Sequence, residues 1–302
     1  VIEVPQDKVL EQIGQSLVLA PFYLVFNRVL QFSDPDDATK FKSQTEYRAR
    51  LISRTRQYLY LCPTFITAIS CSILFLFAGR LGFSLSTTLL LTLVYGFGTM
   101  AWPYSKYLLT ESSQNALLFS AAYLLFFQRN EGQFRWKEMM GAGAAFGLLL
   151  SIRATFIVLL PIFGVYWFFR NRERRVVAPV LSFLVPAILL FVPQLLYNAV
   201  RFGSIAKFGY SGGGFSTPFY AGLFGFLLSP GKGFFYYNPV LILSLVGFGA
   251  FLRRARHEAW LFAAIAVAVI IKYSAWSNWS GDPAWGPRYL LVLTPLLTLP
   301  IG

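Results

Sequence analysis

The chain has 302 residues, of which 56% are hydrophobic, 18% aromatic and 13% charged, and its mean hydropathy is +0.56. A soluble globule carries about 25% charged residues, so a water-facing surface cannot be covered here. That excludes an ordinary soluble enzyme, a disordered chain and a disulfide scaffold, and it predicts an all-α, polytopic transmembrane helical bundle. The net charge of +13 would suggest nucleic acid in a soluble protein; in a membrane chain it reports topology instead, and no nucleic-acid partner is expected.

In chain order, residues 1–56 read as an outside or interfacial segment. Within it Leu17 to Leu30 is apolar but is flanked or interrupted by Gln12, Gln15, Asn27 and Arg28, which suits an interfacial or re-entrant helix better than a span. Residues 57–302 read as the bundle. Apolar runs cover Gln57 to Gly79, Phe83 to Trp102, Leu108 to Gln128, Met139 to Ile152, Ala154 to Phe169, Val176 to Tyr197, Gly233 to Leu252, Ala259 to Ala275, and Tyr289 to the end. A helix rises about 1.5 Å per residue and a crossing takes about 20 residues, so these predict nine spans, the last incomplete, with long outside loops at 198–232 and 276–288. Cys62 and Cys71 lie inside one apolar run and read as small buried hydrophobes. The Gly143 to Gly147 spacing within a span predicts close helix packing. The chain starts without methionine and stops within an apolar run, which predicts an excerpt of a longer protein.

Orientation follows from the loops. If the first span runs inward, the inside turns hold Arg80; Arg129, Arg135 and Lys137; Arg170, Arg172, Arg174 and Arg175; and Arg253, Arg254 and Arg256. These are dense basic turns of the kind retained in the cytoplasm. Lys40, Lys42, Arg48, Arg50, Arg54 and Arg56 then lie outside, partly offset by Asp34, Asp36, Asp37 and Glu46, and the three later loops decide the matter. The tryptophans, Trp102, Trp136, Trp167, Trp260, Trp276, Trp279 and Trp285, all fall near span ends, where indole prefers to sit.

Polar residues gather on the outside face. Glu111, Arg153 and Arg288 stand at span edges, where an ionisable group is costly unless paired or wet. Each can also snorkel or serve helix packing. Together with Arg201 and Lys232, the arginines Arg153 and Arg288 form a candidate cationic pocket for a phosphate or pyrophosphate, since guanidinium grips oxygens through a two-toothed fork. Glu111 and Asp282 are the acids nearby and the weak candidates for a proton acceptor. Trp276, Trp279 and Trp285 suit boundary anchoring or stacking on a sugar, and Trp279, Trp285 and Tyr289 are the candidates for contacting a sugar or an acceptor. The sole histidine, His257, sits in a basic run at headgroup level, so neither a histidine metal cluster nor a Ser-His triad is expected, and no cofactor is expected. The glycine-rich stretch Gly209 to Phe215 lacks a P-loop lysine and reads as a loop or lid.

Several short runs occur in a recognisable order: Tyr95-Gly96-Phe97-Gly98-Thr99-Met100-Ala101-Trp102-Pro103-Tyr104, Thr110-Glu111, Ser151-Ile152-Arg153-Ala154, Leu196-Tyr197-Asn198 with Arg201-Phe202-Gly203-Ser204, Ser229-Pro230-Gly231-Lys232-Gly233 with Tyr237-Asn238-Pro239, and Trp285-Gly286-Pro287-Arg288-Tyr289-Leu290. From about Ala20 onward the chain thereby resembles bacterial GT-C glycosyltransferases, in particular the phospholipid-carrier-dependent branch related to protein mannosyltransferases and the lipid A aminoarabinose transferase. The resemblance implies an enzyme of the bacterial inner membrane. It would move a sugar, with inversion, from a polyprenyl-phosphate carrier to a glycan, lipid or protein acceptor at the periplasmic face. It also implies a catalytic acid on the first outside loop, a stretch that would precede Val1; Asp34, Asp36 and Asp37 do not match it. Two other classes stay open: a transporter or flippase for a lipid-linked or anionic solute, which would need a polar path through the spans, and a non-catalytic relative.

Overall fold

The computed structural model describes residues 13–33, 44–127, 134–170, 177–208, 214–281 and 283–302. Every regular element among them is helical. In order these are α1 (Ile13–Ser33), α2 (Gln44–Leu59), α3 (Cys62–Arg80), α4 (Leu85–Gly98), α5 (Ala101–Tyr104), α6 (Thr110–Phe126), α7 (Trp136–Ile152), α8 (Leu160–Arg170), α9 (Val177–Phe202), α10 (Phe219–Leu227), α11 (Phe234–Tyr237), α12 (Ile242–Arg254), α13 (Arg256–Ser274) and α14 (Thr294–Thr298). Tight 3-10 turns at Ala154–Leu159 and Arg288–Leu293 lead into α8 and α14. Helices suit such a composition because each satisfies its own backbone donors and acceptors where no water is at hand.

Three helical stretches are long and apolar enough to cross a membrane: Arg50–Arg80, Val177–Phe202 and Arg256–Ser274. They fall on three of the nine expected spans. The others form shorter or less apolar helices, such as Leu85–Gly98, Ala154–Arg170 and Arg288–Ile301. Local chemistry shortens them. Ser84 caps α4, its Oγ accepting from the Thr87 amide at 3.2 Å, and Thr99 turns extended at the far end. Arg153, with φ −153° and ψ 95°, breaks α7 from the turn that follows. The apolar run near the start of the chain folds as α1, which continues through Pro21 and lays Gly14 against the Ser151–Ile152 backbone of α7.

The core sits around α6, which is buried over most of its length. Phe77 of α3 meets the rings of Phe119, Tyr123 and Phe126 at 5.8, 5.3 and 5.0 Å, and that of Phe262 of α13 at 5.9 Å. Helix α7 lies directly on α9, because a side chain at Gly143 or Gly147 would strike the backbone of Phe183 or Ala187. That is the close packing their spacing predicts. Cys62 is buried, Cys71 is half-buried, and both are free thiols. The outer faces are apolar: Leu181, Ile188, Leu189 and Val200 of α9 are 54%, 55%, 65% and 90% exposed. An apolar surface of this extent on a helical bundle suits lipid better than water.

Bonds between connections that are distant in the chain gather them at two ends. The stretches 99–110, 152–155, 214–241, 275–281 and 283–288 meet at one end, through bonds such as Met100 to Asn238, Tyr104 to Trp285, Thr217 to Trp276 and Lys272 to Thr155. At the other, Arg254 bonds to the carbonyls of Leu81 and Gly82, Arg80 and Arg135 lie over Phe127, and Arg170 pairs with Glu258. The first is called the polar end below and the second the basic end.

Candidate functional site at the polar end

The loop that carries Arg288 is held rigidly from several sides. Tyr104 donates to the Trp285 carbonyl at 2.7 Å. Lys232 reaches the carbonyls of Ala284 and Gly286 at 2.7 and 3.2 Å. The Tyr237 ring meets Trp285 edge-on at 4.8 Å, and Asn238 accepts from the Met100 amide at 2.8 Å. Gly286 has φ +64° and a Cβ there would lie 2.8 Å from the Tyr237 ring, so only glycine fits. Burial, with the Glu111 carboxylate adding to it, pushes the Tyr104 phenol well above its ordinary value. Tyr104 therefore stays a protonated donor to the loop at neutral pH.

Three basic side chains converge on one aromatic stack. Tyr273 and Tyr289 lie face to face, centroids 4.6 Å apart and 5° from parallel. The guanidiniums of Arg153 and Arg288 stand 4.8 and 4.9 Å from the Tyr289 centroid. Arg153 also lies 5.3 Å from Tyr273 and 5.9 Å from Trp276. Lys272 Nζ sits 4.0 Å from Tyr273 and 3.6 Å from Phe156, and it donates to Thr155 Oγ1 at 3.4 Å. Ring faces attract cations within about 6 Å, so the stack lets like charges sit close together. On the acidic side Glu111, 3% exposed in the first turn of α6, approaches Arg288 Nε at 3.5 Å. Gly281, at φ +72°, leaves the room that the Arg288 stem occupies.

The expected residues are distributed unevenly. Arg153, Arg288, Tyr289 and Glu111 come together, and Lys232 joins them through the loop backbone. Arg201 does not: it is exposed at the end of α9, where it bonds to the Tyr197 hydroxyl and lies over Tyr197 and Phe202. Tyr289 is buried beneath the guanidiniums. Trp279 packs edge-on against Phe226 of α10 at 5.6 Å, whereas Trp285 is 48% exposed and offers an open ring. Asp282 lies outside the described residues.

Two features escaped the sequence. Lys272 belongs to the cluster, and its signal was a lysine within the apolar run Ile270-Ile271-Lys272-Tyr273. The other is a buried polar row on α6: Ser112 donates to the Tyr104 carbonyl at 3.1 Å, Gln114 to Thr110 at 2.8 Å and Asn115 to the Tyr95 hydroxyl at 2.6 Å. Among the described residues no group of three or more His, Cys, Asp or Glu side chains is placed to hold a metal ion.

Comparison with known protein families, with curated proteins and with solved structures gives no match.

Proposed function

We propose that the polar end binds the phosphate of a lipid-linked sugar, and that the protein is a GT-C-like glycosyltransferase using a polyprenyl-phosphate donor. The observation that carries this reading is the convergence of Arg153, Lys272 and Arg288 on the Tyr273–Tyr289 stack at one end of an apolar bundle. A lipid-phosphate donor has matching chemistry: its chain dissolves in the bilayer, and its phosphate is delivered at headgroup level to fixed cations. In the reaction an acceptor hydroxyl oxygen attacks the anomeric carbon as the bond from that carbon to the phosphate oxygen breaks, and the hydroxyl proton passes to the released phosphate. The electron pair leaves with the phosphate. Fixed guanidinium groups stabilise the charge gathering there, and attack from the opposite face inverts the anomeric centre. Trp285, half exposed and three residues before Arg288, would stack on the sugar. The polar end would then face the bacterial periplasm, with nine crossings in a GT-C-like arrangement.

The test is binding of polyprenyl phosphate to the detergent-solubilised protein, with the uncharged polyprenol as control. A charge-assisted hydrogen bond is worth about 1.5–3 kcal/mol, roughly 10- to 150-fold in affinity. Arg153→Ala and Arg288→Ala are each expected to weaken polyprenyl phosphate by that factor and leave polyprenol unchanged. Equal affinity of both ligands in the native protein, or unaltered phosphate binding in both variants, overturns the phosphate site. The transporter reading requires a polar path beyond this end. The deeper polar groups on α6 instead bond to Tyr104, Thr110 and Tyr95 within the bundle.

A further inference from the structure

The basic end carries a second site. A groove of about 790 Å³ opens on the outer surface between α8 and α13, within the size range of about 300–1,000 Å³ typical of small-molecule sites. Ile162, Val165 and Phe169 line one side and Trp260, Leu261 and Ala264 the other. Val165, Trp260 and Phe169 are 56%, 59% and 65% exposed. Arg256 and His257 stand at its mouth, in the first turn of α13. The nearby carboxylate does not neutralise them. Glu258 is turned inward and 3% exposed, paired with Arg170 at 2.6 Å and accepting from the Tyr166 hydroxyl at 3.1 Å.

Depth and charge together define an occupant. From Arg256 to Ala264 the helix climbs about 12 Å at 1.5 Å per residue, close to one leaflet of a hydrocarbon core about 30 Å thick. A ligand that fits is apolar for one leaflet and anionic at the headgroup level of the basic end. The geometry points to an anionic phospholipid bound in this groove, one acyl chain along Val165, Phe169, Trp260 and Ala264 and its phosphate on Arg256 and His257. Basic pockets between helices at such a boundary are suited to anionic headgroups. The site lies at the opposite end from the phosphate cluster and is independent of any transfer activity there.

Trp260 reports on the groove directly. The full chain is reconstituted in phosphatidylcholine vesicles containing a graded minor fraction of either brominated phosphatidylglycerol or brominated phosphatidylcholine. The Trp260 emission is taken as the difference between the native protein and Trp260→Phe. One basic side chain near an anionic lipid favours it about fivefold, so the phosphatidylglycerol is expected to quench at about one fifth of the concentration needed for the phosphatidylcholine. Arg256→Gln combined with His257→Gln is expected to abolish that preference. Ala264→Phe, which narrows the groove and leaves its charges in place, is expected to reduce quenching by both lipids. Equal quenching in the native protein, a preference that survives the double substitution, or unchanged quenching in Ala264→Phe overturns the site. Protection of Trp260 from both lipids also overturns it and assigns the groove to a second copy of the chain.

Discussion

At the scale of single residues, the decisive feature is how each buried charge is satisfied. Arg170 and Glu258 are 9% and 3% exposed and 2.6 Å apart, with the Tyr166 hydroxyl on the same carboxylate oxygen. Breaking such a pair by removing one partner strands a charge in an apolar interior and costs about 3–5 kcal/mol. Arg170→Leu is therefore expected to lower the unfolding free energy in detergent by about that amount, and adding Glu258→Leu is expected to recover much of it. A double variant as unstable as the sum of the two single losses would contradict this account. The sequence singled out Glu111, Arg153 and Arg288 because ionisable groups stand out against an apolar background. It did not join Glu111 to Arg288, nor draw Lys272 into the cluster, because those contacts cross between helices far apart in the chain.

At the scale of helices, glycines decide how closely neighbours approach. Gly147 of α7 lies against the Ala187 backbone of α9 with no space for a side chain, while Gly79 of α3 faces open space. Gly147→Val forces the two helices apart and is expected to cost about 1–3 kcal/mol or more, as overpacking does. Gly79→Ala is expected to raise stability by about 0.5–1 kcal/mol, since it only removes backbone freedom in a helix. Unfolding midpoints of the two variants measure both, and a destabilised Gly79→Ala or a neutral Gly147→Val would refute the packing assigned to them. The apolar runs located the helices well, but not where each ends. The expected span from Phe83 to Trp102 divides into α4 and α5 at Thr99, and the one from Gly233 to Leu252 divides at Asn238. Hydropathy averages over such breaks, whereas a cap or an extended residue sets them one position at a time.

At the scale of the whole molecule, a polar end stands apart from a basic one. Lys106 and Arg253 are both exposed, one at each end. Cysteines introduced singly at Lys106 and Arg253 are expected to react with an impermeant thiol reagent from opposite sides of the native membrane, with Arg253→Cys on the cytoplasmic side. Reaction from the same side would overturn the arrangement of the spans. Composition and apolar runs by themselves determined that this is a helical protein with helices able to cross a membrane. Those properties follow from solvent preference and backbone hydrogen bonding, which act locally along the chain. The tertiary structure alone decided which charges meet. It put Lys272 beside Arg153 and left Arg201 apart, turned Glu258 inward, and stacked Tyr273 on Tyr289. Such pairings depend on the rotation and depth of each helix against its neighbours, which are set by the close contacts of glycines and rings that no single stretch of sequence contains.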